Sequence, residues 1–305
     1  MYFPRCTNPV GIFPDKDKPI NPIYVPCGRC KACLISRASA WSIRCLMEYK
    51  FNDNKGVFLT LTYDNNYLDI PSLRKHDLQC FFKRLRNDLL PDRVRYFACG
   101  EYGESTHRPH YHILLFGVDE RNPYFLDIRT QLPNGRRGCI ASWQFGFVHL
   151  GYVSEASCQY VAKYVLKSQG EQREHSAKRV APLASASLIE RPFQLMSRRP
   201  ALGDGYMRKY YKRILLGVDP IVRFTCLDDK AQPHLPRFIR ERCELYERLD
   251  SDNGFEVQAL QELRKESRIA YAMKQQKVGP DESIEEANFQ RKLNFDSMVK
   301  KRGVL

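Results

Sequence analysis

No stretch of this chain approaches the roughly 20 consecutive apolar residues that a membrane-spanning helix needs, and no basic amphipathic segment stands out as an anchor. A membrane partner is therefore not expected. The opening, Met1-Tyr2-Phe3-Pro4-Arg5-Cys6, lacks a basic start followed by an apolar core, so no secretory signal is expected either. A Walker-type phosphate loop is missing, which leaves any nucleotide-driven unwinding to another protein. No internal repeat is visible. The 11 cysteines are odd in number and spread along the chain, which argues against a closed disulfide framework and for a soluble protein of a reducing compartment, the cytoplasm.

What is present is size, core and charge. The chain has 305 residues, of which 43% are apolar, enough for one large domain or two smaller ones with a substantial core. Against 35 acidic residues stand 49 lysines and arginines, a formal excess of +14, and such an excess points to a polyanionic partner that releases counterions on binding. Nucleic acid is the first partner to consider.

Residues up to about Tyr24 are rich in Pro, Asn and Asp and read as an irregular arm leading into Cys27, Cys30 and Cys33. A helix is predicted over 36–50, with Trp41, Ile43, Cys45, Leu46 and Tyr49 near helical spacing. The period then changes. Val57 to Tyr63 is β-branched and aromatic, bounded by Lys55-Gly56 and Asp64-Asn65-Asn66, as a buried strand should be. Ser72 is set to cap a helix from about Leu73 to Leu89, with Leu78, Phe81, Phe82, Leu85 and Leu89 inward and Lys83, Arg84 and Arg86 outward; Pro91 stops it. Strands follow at 93–100 and 110–118, and the short link between them favours antiparallel pairing. Beyond a basic insert, 121–138, comes a strand near 145–150 and a helix from Ser154 with Glu155 in its first turn. The order β, α, β, β, β, α predicts an α+β fold with a central, largely antiparallel sheet of split-βαβ type flanked by helices.

In Arg108-Pro109-His110-Tyr111-His112 the two histidines are two residues apart in a strand, so both rings point to one side while Tyr111 packs on the other. On an open face that is the geometry of a cation clamp; on a solvated sheet it is simply two strand histidines. Glu101, at the end of the preceding strand, lies beside them if the two strands form a hairpin, and supplies a carboxylate third ligand, with Glu104 as its rival. Two imidazoles and a carboxylate suit a divalent ion, and a phosphate-activating site favours Mg²⁺ or Mn²⁺. His107 sits on the connecting loop and reads as solvated or DNA-contacting.

Tyr160, Lys163, Tyr164 and Lys167 fall on one helical stripe, a doubled Tyr-x-x-Lys, while Cys158, Val161 and Val165 face elsewhere. A phenol is a weak nucleophile at neutral pH, and an ammonium one turn away favours its phenolate. The plainer alternative is an amphipathic helix with tyrosines at a core edge and lysines extending past them. Joined to a metal clamp, the stripe points to in-line attack of a tyrosine on a phosphodiester. The product is a 5′-phosphotyrosine and a free 3′-hydroxyl, with the bond energy kept for rejoining.

Cys27-x-x-Cys30-x-x-Cys33, with Cys6 upstream, has the make-up of a structural Zn²⁺ site fastening the arm. Free thiols ahead of a helix, or an iron–sulfur site, are the other readings. Arg108, Arg136, Arg137, Arg198 and Arg199 are loop residues placed to meet phosphate, if they are not merely solvated.

The strand Phe58-Leu59-Thr60-Leu61-Thr62-Tyr63, the pair Gly100-Glu101 and Pro109-His110-Tyr111-His112, and Tyr160-x-x-Lys163-Tyr164 resemble, in order, the three motifs of the HUH rolling-circle replication initiators. Pro26-Cys27-Gly28-x-Cys30 and Met196-Ser197-Arg198-Arg199-Pro200 narrow the resemblance to the initiators of microviruses, in their gokushovirus branch. The motifs occupy about the middle third of the chain. The resemblance implies an HUH endonuclease core that nicks the viral-strand origin of a circular phage DNA, stays covalently attached to the 5′ phosphate and later rejoins the strand. By motif match His110, His112 and Glu101 are metal ligands and Tyr160 and Tyr164 nucleophiles; Lys163 is the motif lysine, and Lys167 is added from spacing. The expected division is an arm and helix over 1–50, the HUH core over 51–170 and a helical, charged accessory region over 171–305. Expected partners are single-stranded origin DNA, circular double-stranded replicative DNA, and a host helicase and polymerase, in the host bacterial cytoplasm. The alternatives are a related tyrosine transposase or relaxase, and a non-catalytic zinc-stabilised nucleic-acid-binding protein.

Overall fold

The structure of the chain, a computed structural model, describes residues 6–12, 23–68, 71–103, 106–125, 138–167, 189–223 and 235–250. In chain order its elements are the short strands β1 (Val10–Ile12) and β2 (Ile23–Val25), helix α1 (Lys31–Phe51), β3 (Gly56–Tyr63), α2 (Lys75–Asp88), β4 (Arg95–Tyr102), β5 (Pro109–Phe116), β6 (Gly138–Ile140), β7 (Trp143–Tyr152), α3 (Glu155–Lys167), β8 (Phe193–Met196), α4 (Asp204–Leu215), the single turn α5 (Pro220–Arg223) and α6 (Arg237–Leu249). The chain divides into two compact units, Arg37–Lys209 and Tyr2–Ser36 with Tyr210–Leu305. The division falls inside α1 and inside α4, where Tyr210 leaves helical geometry. No helix among the described residues is long and apolar enough to cross a membrane.

The first unit is built on a six-stranded sheet in the order β6-β7-β3-β5-β4-β8, with every neighbouring pair antiparallel. This is the α+β architecture that the alternation of periods predicts. Strand residues two apart share a face. Val57, Leu59, Leu61 and Tyr63 of β3 join Tyr111, Ile113 and Leu115 of β5 and the buried stripe Leu78, Phe81, Phe82 and Leu85 of α2 in one core. The other face carries Phe97 and Cys99 of β4 and Leu114 and Phe116 of β5, which pack with Cys45 of α1 and with Cys158, Val161 and Tyr164 of α3. Burying each large side chain in these layers contributes about 1.5–3 kcal/mol. Because helices cover both faces, the central strands read as near-continuous apolar runs. The polar residues that interrupt them therefore stand out.

Gly146 lets β7 come close to the end of β3. Its φ is +155°, and a Cβ there would collide with the Thr62 carbonyl and the Asp64 amide. Asp64 uses that approach to donate its amide to the Phe145 carbonyl at 2.8 Å.

Three local expectations need correction. The helix expected from Ser36 begins at Lys31, directly after the last turn of the cysteine segment. Ser72 does not cap α2: the N-cap position is Arg74, and the Ser72 hydroxyl donates instead to the Leu73 carbonyl while accepting from the Glu190 amide. The first turn of α2 is satisfied from far away in sequence, by the Glu190 carboxylate on the Lys75 amide at 3.0 Å. Arg84, expected to point outward, instead reaches the Ser142 carbonyl at 2.9 Å. The helix after β7 begins as expected, with Ser154 Oγ accepting from the Ser157 amide and Ser157 Oγ accepting from the Ser154 amide.

Candidate active site

The site grows from the register of three strands. β4 and β5 pair so that Glu101 faces His110 and Cys99 faces His112, and β3 sets Thr60 opposite His112 and Thr62 opposite His110. All these residues belong to the face covered by α3, at the end where its apolar run gives way to polar side chains. Both histidines turn Nε2 to the same oxygen, Glu101 Oε1, at 3.0 Å each. Their other ring nitrogens are also held: His110 Nδ1 lies 2.9 Å from the Arg108 carbonyl oxygen and His112 Nδ1 lies 3.1 Å from Thr60 Oγ1. Glu101 and His112 are buried and His110 half-buried. Burial by itself would raise the Glu101 carboxyl, but hydrogen bonds with His110, His112 and Tyr164 outweigh it and hold the group well below the usual carboxylate range.

The donor set passes the test for a cation. Two imidazole nitrogens and a carboxylate oxygen lie within 4.8 Å of one another, each ring fixed from behind so that Nε2 points inward. Second-sphere bonds of this type orient ligands in metal sites. Glu104, the rival carboxylate, and the loop arginines Arg136 and Arg137 lie outside the described residues.

Helix α3 lays its tyrosines on this cluster. The Tyr164 ring is parallel to that of His112, with centroids 5.2 Å apart, and Tyr160 meets His112 edge-on at 5.3 Å. Phe58 of β3 lies parallel to His112 at 5.8 Å and edge-on to Tyr160 at 6.2 Å. The Tyr164 hydroxyl donates to the Tyr160 hydroxyl at 2.6 Å. Exposure separates the pair, since Tyr160 is 43% accessible and Tyr164 only 8%. The expectation that a neighbouring lysine would ease ionisation does not hold for Tyr164. Burial raises its pKa first, and the bond to Tyr160 and the charge of Glu101 raise it further. Lys163 is exposed on the same helix, and the side chain of Lys167 lies outside the described residues.

Two residues that touch His112 were not singled out from sequence: Thr60, which bonds its ring, and Phe58, which stacks on it. The alternation of β3 carried the signal, because Phe58, Thr60 and Thr62 alternate with the buried Val57, Leu59, Leu61 and Tyr63. Pairing that strand with β5 was the missing step. Arg108, expected to meet phosphate, holds the Tyr63 carbonyl with Nη2 at 2.6 Å and Nε at 3.2 Å. Arg198 and Arg199 are exposed just after β8.

In the second unit Cys6, Cys27, Cys30 and Cys33 converge, their sulfurs all within 4.8 Å of one another.

An antiparallel α+β core with a His-His-Glu cluster under a tyrosine-bearing helix is consistent with an HUH core. Residues 56–169, which contain the whole arrangement, match the family model for the replication-associated protein ORF2. The chain is 28% identical over 228 residues to replication-associated protein VP4 of Bdellovibrio phage phiMH2K, a match covering 71% of this chain and 66% of the relative. It is 30% identical over 152 residues to replication-associated protein ORF4 of Chlamydia phage 1, covering 47% of this chain and 38% of the relative. Replication-associated protein ORF2 of Spiroplasma virus 4 is 28% identical over 176 residues, covering 52% of each. The chain thus spans less than two thirds of the length of these relatives. No solved structure matches it. It is a microvirus-like relative of the phage replication-associated proteins.

Proposed function

We propose that the chain is a replication initiator that nicks one strand of circular phage DNA by tyrosine attack and remains joined to the 5′ phosphate. The observation that carries this reading is the stacking of Tyr160 and Tyr164, hydroxyls 2.6 Å apart, on the imidazole of His112, whose Nε2 shares Glu101 with His110. The printed names of the relatives, which are replication-associated proteins, support it. So does the formal charge of +14, which suits a polyanion.

Glu101, His110 and His112 would hold Mg²⁺ or Mn²⁺, which when bound supplies charge stabilisation to the scissile phosphate. Tyr160, the exposed member of the pair, makes the attack. Its oxygen bonds to phosphorus, the P–O3′ bond breaks, the phenolic proton leaves to solvent and the departing 3′ oxygen takes up a proton to become a free hydroxyl. The hydrogen bond donated by Tyr164 favours the developing charge on the Tyr160 oxygen. Attack by a 3′-hydroxyl on the phosphotyrosine reverses these changes and rejoins the strand. Tyr164 acts as the second nucleophile once Tyr160 is occupied, and Lys163 and Lys167 pair with backbone phosphates beside them. A host helicase and polymerase unwind the replicative form and extend the 3′ end, in the host cytoplasm.

The test is a single-stranded origin oligonucleotide incubated with the protein and Mn²⁺, then resolved under denaturing conditions. A 3′-end label should travel with the protein and a 5′-end label should not. Intact binding with no adduct on either single-stranded or supercoiled origin DNA would overturn the nuclease reading.

A further inference from the structure

The second unit begins with an arm that has little to hold it. Strands β1 and β2 pair over three residues a side, and Val10, Ile12, Ile23 and Tyr24 are all exposed. A two-stranded hairpin of that kind is marginal on its own. The buried cluster beside the cysteines is Ala32 and Ile35 with Cys30 packed against them. Among the described residues, no apolar layer accounts for the order of this segment.

Four thiols occupy the place where a core would be. Cys6 precedes the hairpin, Cys27 and Cys30 follow it, and Cys33 lies in the first turn of α1. Cys6 Sγ lies 3.8 Å from Cys30 Sγ, and Cys27 Sγ lies 4.0 Å from Cys33 Sγ. These separations are far too long for disulfides, and all four cysteines are free. They suit a different bond: a tetrahedron with metal–sulfur distances of about 2.3 Å has edges of about 3.8 Å. An iron–sulfur cluster, with several irons between its thiolates, needs a wider cage.

The backbone is arranged for negative sulfur. The amides of Asn8 and Cys27 point at Cys6 Sγ at 3.4 and 3.3 Å, and the amide of Cys30 points at Cys27 Sγ at 3.3 Å. Gly28, with φ +73°, takes the left-handed conformation inside the Cys27–Cys30 turn. Cys30 gives its carbonyl to the Leu34 amide at the start of α1, so the positive end of that helix lies next to the sulfurs. Amide donors and a helix N-terminus together offset the excess charge of four thiolates around one divalent ion.

We propose that Cys6, Cys27, Cys30 and Cys33 form a four-thiolate site for one Zn²⁺ that staples the hairpin to the start of α1. The site stands apart from the proposed nuclease chemistry. A small element without a core of its own gains its stability from such a metal, and binding releases the thiol protons.

The full-length chain, purified without chelator from zinc-supplemented medium, should carry one zinc that survives dialysis. Titration of this protein with an organomercurial should release the zinc as the four thiols react. Replacing zinc with Co²⁺ should produce the intense thiolate-to-cobalt absorption of a tetrahedral sulfur site. Cys27→Ser with Cys30→Ser should lose the zinc, while His110→Ala with His112→Ala should keep it. Protein that folds and retains no zinc, that holds iron instead, or that loses zinc with the histidines and not with the cysteines overturns the proposal. If the cysteine variant does not fold, the organomercurial titration and the cobalt spectrum of the wild-type chain decide the matter.

Discussion

Tyr160 and Tyr164 share a hydrogen bond of 2.6 Å, yet one is 43% exposed and the other 8%. A DNA strand arriving from solvent meets Tyr160 first. Tyr160→Phe is therefore expected to reduce the covalent adduct on an origin oligonucleotide to background. Tyr164→Phe should still form the first adduct and fail in the second transfer, read as loss of the rejoined circle. Equal loss in the two single variants would contradict the order.

The bond between Thr60 Oγ1 and His112 Nδ1, 3.1 Å long, fixes the ring from behind. Thr60→Val keeps the shape and removes the bond. Loss of such a partner typically weakens metal binding by about 10–100-fold. Calorimetric titration with Mn²⁺ checks this, and an unchanged affinity would show that packing against Phe58 and Tyr164 alone orients His112.

Glu101→Gln removes the shared carboxylate charge but keeps the shape of the side chain. Adduct formation should vanish at all Mn²⁺ concentrations, as it should for the wild type in chelator, while affinity for the oligonucleotide changes little. Fluorescence anisotropy separates the two effects. Loss of binding together with cleavage would mean that Glu101 maintains the fold instead.

Burial pushes the Tyr63 phenol well above its ordinary value, and the neighbouring Tyr111 and Asp77 add to the shift. A phenol harder to ionise in the folded chain contributes stability that is complete below about pH 10, the unfolded value, and is lost as pH rises beyond it. Tyr63→Phe should cost stability at neutral pH, because Asp77 Oδ2 and Tyr111 lose a partner at 3.0 and 2.8 Å. The gap between wild type and variant should then narrow above about pH 10. Denaturant titrations at pH 8 and pH 11 measure the difference, and a constant gap would refute it.

The Glu190 carboxylate on the Lys75 amide stands where a capping side chain would sit. Glu190→Ala should cost about 1 kcal/mol, the usual value of a lost helix cap. In a unit of this size that is roughly a 2–4 °C fall in Tm. Ser72→Ala, by contrast, should leave the first turn of α2 intact, which amide exchange at Lys75 and His76 would show.

Where a signal was local, it was legible. The alternation in β3 and β5 and the apolar stripe of α2 announced the sheet and its helix, because burial on one face imposes the period of the backbone on the residues. The clamp was legible for the same reason: His-x-His in a strand puts two rings on one side, and a short link makes a hairpin that brings Glu101 alongside. What failed was anything closed by a distant segment. The strand Phe193–Met196 pairs with β4 at the sheet edge, but four residues in a polar stretch carry too little periodicity to be seen. Ser72 looked like a cap because capping is usually local, and Glu190 took the role because the fold brought it there.

By itself the amino-acid sequence determined the secondary structure of the core, the face on which the histidines lie, and the helical stripe of the tyrosines, since each follows from periods of 2 and 3.6 residues. Only the tertiary structure decided that the stripe lands on His112, that Tyr164 is covered while Tyr160 is open, and that Thr60 and Glu101 hold the rings between them. Those facts depend on strand register and on the packing of α3 across the sheet. Register is set by many side chains filling one core together, so no single segment of the chain contains it.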